Sequence, residues 1–462
     1  MKNGGMLEAT KAALDKRLAD EQRAGRTPSL VGALVRDGEL VWWGGRGTLD
    51  GSANGPRPDE DTQYRIGSIT KTFIAVLVLR LRDEGKLALD DQLDKHLPGT
   101  PFGDRTIGAL LAHAAGLSSE APGPWWERAE GRPWPEFATE LDAESVRIDP
   151  YRRFHYSNLG FGVLGELVAQ LRGKSWFEAT REEILDPLGM PRTTTGPEGK
   201  YAPGFAVHPW ADVLLHEPSE DAKAMAPAGQ LWSTVTDLAR WTRFFAGDTA
   251  EVLSRDTLAE MSEPRMVGDG NAWLGGYGLG LQLFRRQGRR FTGHTGSMPG
   301  FLATSLAASG DDVGALVMAN VTRGPEIDAV VTDLVDILET REPRLGAEWH
   351  ASAAVDTSQL ELTGPWYWGP MPYALRLLPD GWLDLSPMSG GGRASRFQPY
   401  GDGTWIGLDG YFTREILRVN RDAAGNPNHL WLGTFIFTRT PYATDAPVPG
   451  GVDEKGWHLP SP

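Results

Sequence analysis

No cysteine occurs among the 462 residues, which removes disulfides, thiolate nucleophiles and Cys-type zinc sites together. Long hydrophobic runs are missing too. The best candidate, FIAVLVLRL from Phe73, is interrupted by Arg80 and falls well short of the roughly 18 to 20 apolar residues a membrane span needs. Positive charge is the scarcer sign, 46 Lys and Arg against 61 Asp and Glu, for a formal charge of −15. That excess of carboxylates argues against nucleic acid as a partner. Residues 1–25 carry charges every few positions and no stretch resembling a signal-peptide core, so an amphipathic helix, no membrane association and a cytoplasmic location are expected. The composition, 40% hydrophobic and 23% charged, is that of a globular protein. The length exceeds what one core usually organises, and two domains are expected.

SLVGALVRDGELVWWGGRG reads as two strands joined at Asp37-Gly38, a pair that supplies the positive φ angles of a tight hairpin. Residues 68–84 read as one helix, apolar through Phe73, Val76, Leu77 and Leu81 and terminated at Gly85. Further helical patterns follow at TIGALLAHAAGL from Thr106, LGFGVLGELVAQLR from Leu159 and STVTDLARWTRFF from Ser233. Strand patterns return at YGLGLQLF from Tyr277 and in a hairpin from Phe301 turning near Gly310-Asp311, before a closing helix from Ile327. This order predicts an α+β domain over residues 1–341, an antiparallel sheet flanked by helices with an inserted all-helical lobe. Residues 342–362 lack periodicity and read as a linker. About eight short strands then fill 363–462, as in a small antiparallel barrel or sandwich. Seven of the seventeen Trp fall between Trp349 and Trp457, as expected where aromatic side chains fill a barrel core.

Chemistry concentrates in three places. SITK puts Ser68 in the first turn of its helix and Lys71 three residues on, on the same face. A serine hydroxyl needs a base to become a nucleophile, and a desolvated lysine can be neutral enough to serve. The free N–H groups of a helix start suit a developing oxyanion. An isolated S-x-x-K is usually just a surface pair, but Lys71 is the only one of ten Lys with Ser three positions before it. In YSN, Tyr156 offers a phenol to relay a proton and Asn158 an amide to hold a carbonyl. Capping is the plain alternative for both. In HTG, His294 and Thr295 precede Gly296, and glycines at 293, 296 and 300 permit close backbone approach, so an edge strand here could pair with an extended substrate. Each of the three patterns occurs once.

In this order the three motifs resemble those of the penicillin-recognising serine hydrolases: penicillin-binding proteins, the larger serine β-lactamases, and related esterases and D-peptidases. The resemblance covers residues 25–340 and includes QYRIGSITKTF, LLAHAAGL, YSNLGFGVLG and APAGQLWSTVTDLARW. It implies that Ser68 is acylated, that Lys71 and Tyr156 share proton transfer, and that Asn158 contacts the amide of the acyl group. It implies an oxyanion hole from the backbone N–H groups of Ser68 and Ser297, with His294 in the catalytic set and Thr295 and Gly296 beside the substrate. Most penicillin-binding proteins and β-lactamases have Lys where this chain has His294. An imidazole is mostly neutral at pH 7, which weakens the anchor for a substrate carboxylate and disfavours β-lactam hydrolysis.

With a lipocalin-like barrel after the catalytic domain, the layout looks like the stand-alone penicillin-binding-protein-type thioesterases that release and cyclise nonribosomal peptides. A peptidyl thioester, possibly on a carrier protein, is then the expected partner. An esterase or D-stereospecific peptidase is the alternative enzyme, and a sensor acylated once without turnover is the non-enzymatic one. Arg439, on a strand in FIFTRTPY, could bind a substrate carboxylate or carbonyl, and Trp232 could line the acyl pocket; structural roles are the alternatives for both. Glu166 lies inside a helical pattern and is set aside as a base. No H-E-x-x-H spacing exists and the G-x-G at Gly278 lacks a following helix, so neither metal nor other cofactor is expected.

Overall fold

The structure is a computed structural model describing residues 6–346, 348–351, 356–441, 452–453 and 456–457. Expectations that fall on the other positions, including the last part of the barrel segment, lie outside the described residues. The chain divides into two compact units, residues 1–344 and 345–462.

In the first unit the strand Ser29–Arg36 turns through Asp37 (φ 53°) and Gly38 (φ 75°) into the strand Glu39–Gly47. Both residues take the left-handed conformation that this turn requires. Their sheet has eight antiparallel strands. It runs from Glu39–Gly47 through Ser29–Arg36, Val313–Ala319, Phe301–Ala308, Arg289–Met298, Gln282–Arg286 and Gly275–Tyr277 to Met266–Val267. The helices Glu8–Ala24 and Ile327–Arg341 bury Leu14, Leu18, Leu334 and Leu338 against one face. The other face meets the inserted helical lobe. There the helix Thr70–Asp83 has eleven of its fourteen residues buried, so it is a core helix and not an amphipathic surface one. Trp241 stacks on Phe73 at 4.0 Å and donates its indole N–H to Thr72 Oγ1 at 2.8 Å, locking that helix to Val235–Phe245.

Three local expectations are corrected. The pattern from Thr106 forms helix only over Ile107–Leu111, because His113 (φ 52°) and Gly116 (φ 72°) reverse the chain. YGLGLQLF is not one strand: Gly278–Leu281 turns between Tyr277 and Gln282, with Gly280 at φ 78°. Ser68 belongs to a short 3-10 turn, Gly67–Ile69, that leads into the α-helix.

The second unit contains a closed barrel of eight antiparallel strands, from Gly364–Trp368 to Phe435–Thr438. Its core is mostly Leu and Phe, among them Leu375, Leu385, Phe397, Leu417, Leu430 and Phe437. Of the tryptophans expected to fill it, Trp366 and Trp405 are buried, whereas Trp349 and Trp368 are exposed. Trp366 and Trp368 are two apart on the first strand, and Trp368 at its end is exposed, while Trp349 precedes the barrel strands altogether.

Candidate active site

Two backbones meet at Ser68. Gly67 is left-handed (φ 53°), and a Cβ there would lie 2.5 Å from Ser297 N; a Cβ on Gly296 would lie 1.9 Å from Ile66 O. Only glycine allows the turn before Ser68 and the strand Arg289–Met298 to approach this closely. The strand is not at the sheet edge as expected. It pairs with Phe301–Ala308 from Phe291 to Met298 and with Gln282–Arg286 from Arg289 to Gly293, so from His294 on it has no strand on that second side. Arg290 O accepts from Ser309 on one side, while Thr295 N donates to Gln282 Oε1 on the other. Alternation therefore turns the Ser297 N–H to the side where the neighbouring strand has ended. Ser68 N stands next to it, in the first turn of a helix where N–H groups lack intrahelical acceptors.

Lys71 is fully buried. Its Nζ lies 2.8 Å from Ser68 Oγ and donates to Ala228 O at 2.6 Å, with the rings of Tyr156 and Phe161 at 5.1 and 5.8 Å. Burial pulls its pKa from 10.5 down to about 7, against the opposing fields of Glu120 and Glu127. A large fraction of the amine is thus neutral at physiological pH. Burial has the opposite effect on the Tyr156 phenol, which is held well above its ordinary value, while a hydrogen bond with Ser68 pulls it back in part. Tyr156 is consequently a protonated donor beside the nucleophile.

Behind Tyr156 lies a buried aromatic group. The His113 ring is 4.2 Å from that of Tyr156 and 4.5 Å from that of Tyr277. His113 Nδ1 accepts from Ser157 N at 3.0 Å, so its proton sits on Nε2, which has no partner among the described residues. His294 Nε2 meets Tyr277 OH at 3.0 Å, and Nδ1 faces the Thr295 carbonyl. Burial lowers the pKa of His294 to about 3. Placed in the catalytic set by sequence, this residue is a neutral, fully buried imidazole with both nitrogens occupied and no bond to Ser68, Lys71 or Tyr156. It positions Tyr277 and its own strand.

Asn158 opens the helix Asn158–Arg172, whose N-cap Ser157 accepts from Gly160 N. Its Nδ2 donates to both oxygens of Glu120, at 2.9 and 3.1 Å, and its Oδ1 has no partner. Glu120 thus anchors the Asn158 amide through its amino group, while Oδ1 is enclosed by protein. Glu120 also accepts from Trp126 Nε1 at 2.7 Å. Trp126, in the loop segment PGPWWERAEGRPW (122–134), lies next to Gly229 and so to Gly67.

Thr295 bonds Gln282 through its hydroxyl as well as its N–H, and Gly296 contributes the close approach described above. Trp232 pairs across to Arg65 in a two-residue strand and packs edge-on against Phe301 and Tyr201, almost wholly buried. Arg439 is corrected outright. Its guanidinium bonds the carbonyls of Glu361, Thr363 and Pro365 and lies 3.8 Å over the Trp366 ring, which ties the barrel's last strand to its first. Sequence reasoning gave no role to Glu120, Glu127 or Tyr277; they lie outside the motifs, and only folding brings them to Ser68. Among the described residues no helix is long and apolar enough to cross a membrane.

A helix-flanked antiparallel sheet with serine and lysine one turn apart and a tyrosine against both is the architecture of a penicillin-recognising serine hydrolase. The chain belongs to the Beta-lactamase family, whose pattern residues 14–339 match. Residues 355–439 match a second family, described as a domain of unknown function, DUF7586. Over 305 residues the chain is 28% identical to Beta-lactamase-like protein 2 of Dictyostelium discoideum, covering 62% of this chain and about half, 54%, of that protein. It is 29% identical over 296 residues to penicillin-binding protein 4 of Amycolatopsis lactamdurans, covering 59% of this chain and 75% of the relative. Among solved structures, SurE with D-Leu aligns over 94% of this chain and 100% of its own, at 22% identity and a TM-score of 0.59. The D-amino acid amidase of Ochrobactrum anthropi SV3 complexed with D-phenylalanine aligns over 72% of this chain and 99% of its own, at 22% identity and a TM-score of 0.63.

Proposed function

We propose that this protein is a serine acyltransferase working through an acyl-enzyme on Ser68, and that it releases and cyclises a nonribosomal peptide from a thioester. The observation that carries the acyl-enzyme reading is the fully buried Lys71 amine, 2.8 Å from Ser68 Oγ with a pKa of about 7. In the first step neutral Lys71 takes the Ser68 proton as Oγ attacks the thioester carbonyl. The N–H groups of Ser68 and Ser297 hold the oxyanion. Collapse forms the Ser68 ester and releases the thiol, which Tyr156 protonates. Lys71 returns its proton to Tyr156; in the second step an amine attacks the ester carbonyl and gives up one proton to the Lys71 and Tyr156 pair, the bond to Oγ breaks and Oγ takes a proton back from that pair.

Support for a D-configured substrate comes from the names of the fold's neighbours, SurE with D-Leu and an amidase of D-amino acids with D-phenylalanine. A carrier-bound peptidyl thioester in the cytoplasm is the proposed donor. Hydrolysis by the same residues, as an esterase or D-stereospecific amidohydrolase, is the second reading, favoured by that amidase's likeness. A synthetic peptidyl thioester with a C-terminal D-residue separates them. Cyclic product is expected; linear acid alone would move the assignment to the hydrolase. A lasting adduct on Ser68 without turnover, read by intact mass, would sink both.

A further inference from the structure

Tyr156 stands on a stretch without regular structure. Residues 154–157 precede the helix Asn158–Arg172 and belong to no helix or strand, so the helix period that aligns Ser68 with Lys71 has no counterpart here. One distant residue supplies what fixes the phenol. The His113 carbonyl accepts from His155 N at 2.9 Å, and the His113 ring nitrogen Nδ1 accepts from Ser157 N at 3.0 Å. These two bonds bracket Tyr156. The imidazole lies against the Tyr156 ring, with centroids 4.2 Å apart and planes inclined by 38°, and it also meets the rings of Tyr277 at 4.5 Å and Phe161 at 5.2 Å. His113 is buried in a left-handed conformation (φ 52°). Burial above all, and then the Lys71 charge, holds its pKa well below the ordinary value, so the ring is neutral. Its Nε2–H has no acceptor among the described residues. An apolar ring would fill the same volume without that orphaned donor, which is costly in a buried setting. What imidazole adds over such a filler is the acceptor at Nδ1, and that acceptor holds the residue next to Tyr156.

We propose that His113 is a positioning residue for the reaction at Ser68, acting through Tyr156 by fixing the phenol where it exchanges protons with Oγ. The inference rests on the acyl-enzyme reading above and adds a residue to it. His113 itself exchanges no proton with substrate. Its carbonyl and Nδ1 set the path of the backbone over residues 155–157, and its ring face sets the inclination of the phenol on that backbone. Without the ring the phenol gains orientations, and the share of molecules with the hydroxyl at Ser68 falls, while the groups that bind the acyl chain stay as they are. The loss therefore falls on kcat and spares KM.

A double-mutant cycle in the full-length protein tests this. The probe is the ethyl thioester of N-acetyl-D-alanine, and the released thiol is read with a chromogenic disulfide, which meets no protein thiol because the chain has no cysteine. His113→Asn suits the left-handed backbone and offers Oδ1 to Ser157 N in place of Nδ1, but it removes the ring. It is expected to lower kcat about tenfold with KM within about twofold of wild type, the scale of a small misplacement. In the Tyr156→Phe background the same substitution should change kcat by less than about twofold, because the hydroxyl it positions is gone. An equal fold loss in both backgrounds would mean a residue that only supports the fold and would overturn the proposal, as would an unchanged kcat in the single variant. If the first variant does not fold by circular dichroism, His113→Gly, which also accepts φ 52°, takes its place in the same cycle. A wild type that releases no thiol and carries no acyl adduct on Ser68 would refute the acyl-enzyme reading and this role with it, whereas turnover with an additive cycle would refute this role alone.

Discussion

Replacing Lys71 by methionine should destroy activity and stabilise the fold, and the size of that gain is set by proton linkage. The amine titrates at 10.5 when solvated and at about 7 in place. Between those values the unfolded chain binds the proton more tightly, so wild-type stability rises with pH across the window. At about 1.36 kcal/mol per pH unit, lowering the pKa from 10.5 to about 7 corresponds to a penalty of about 5 kcal/mol at low pH and about 4 kcal/mol at pH 7, where about half of the amine is already neutral. Methionine fills the volume and removes that penalty, but it strands Ala228 O and removes a partner from Ser68 Oγ. Those losses cost about 1 kcal/mol each. The variant should therefore be about 2 kcal/mol more stable at pH 7, lose that advantage with a slope that approaches about 1.4 kcal/mol per pH unit above pH 7, and cross below wild type near pH 9. Urea titrations of both proteins from pH 7 to 10, following the transition of the catalytic unit, measure this directly. A variant no more stable than wild type at pH 7, or a difference that does not change with pH, would show that Lys71 is not held in a shifted state.

The same shift predicts that kcat/KM for an activated ester falls about tenfold per unit as pH drops below about 7, since only the neutral amine accepts the Ser68 proton; a flat profile down to pH 5 would exclude Lys71 as the base. Ser68→Ala should keep the fold by circular dichroism and lose both turnover and the acyl adduct in intact mass, and a surviving adduct elsewhere would displace the nucleophile. Gly296→Ala drives a methyl to 1.9 Å from Ile66 O and should lower kcat by about a hundredfold or more through displacement of the oxyanion donors; wild-type kcat would mean the two backbones yield freely. Arg439→Ala should lower the melting temperature of the barrel by an amount corresponding to about 1–3 kcal/mol, from the loss of its carbonyl contacts. An unchanged barrel transition would count against its structural role.

Much of this protein can be read along the chain. Asp37-Gly38 announces its hairpin because positive φ belongs to few residues, and the spacing of Ser68 and Lys71 follows from the helix period, with no long-range contact needed. The barrel's strand count is legible for the same reason, since turn residues and alternation are local. The apolar run after Lys71 likewise names a helix, though one buried on nearly every side. What the residue order does not contain is depth and company. His294 looks catalytic by motif, but burial and the nearby Lys71 charge keep it neutral, and its nitrogens face Tyr277 and the Thr295 carbonyl and not Ser68. Asn158 reads as a carbonyl holder, but that its amino group is anchored by Glu120, 38 positions earlier, is visible only in the fold. Arg439 reads as part of a strand that could face substrate, but it lies just past Phe435–Thr438, and only barrel closure brings its guanidinium onto the carbonyls of Glu361, Thr363 and Pro365 at the start of the barrel. Local sequence determines which groups exist and how neighbours along a helix or strand align. Their ionisation and free valences are set by desolvation and by partners distant in the chain, and for Lys71, His294 and Asn158 the tertiary structure alone supplies both.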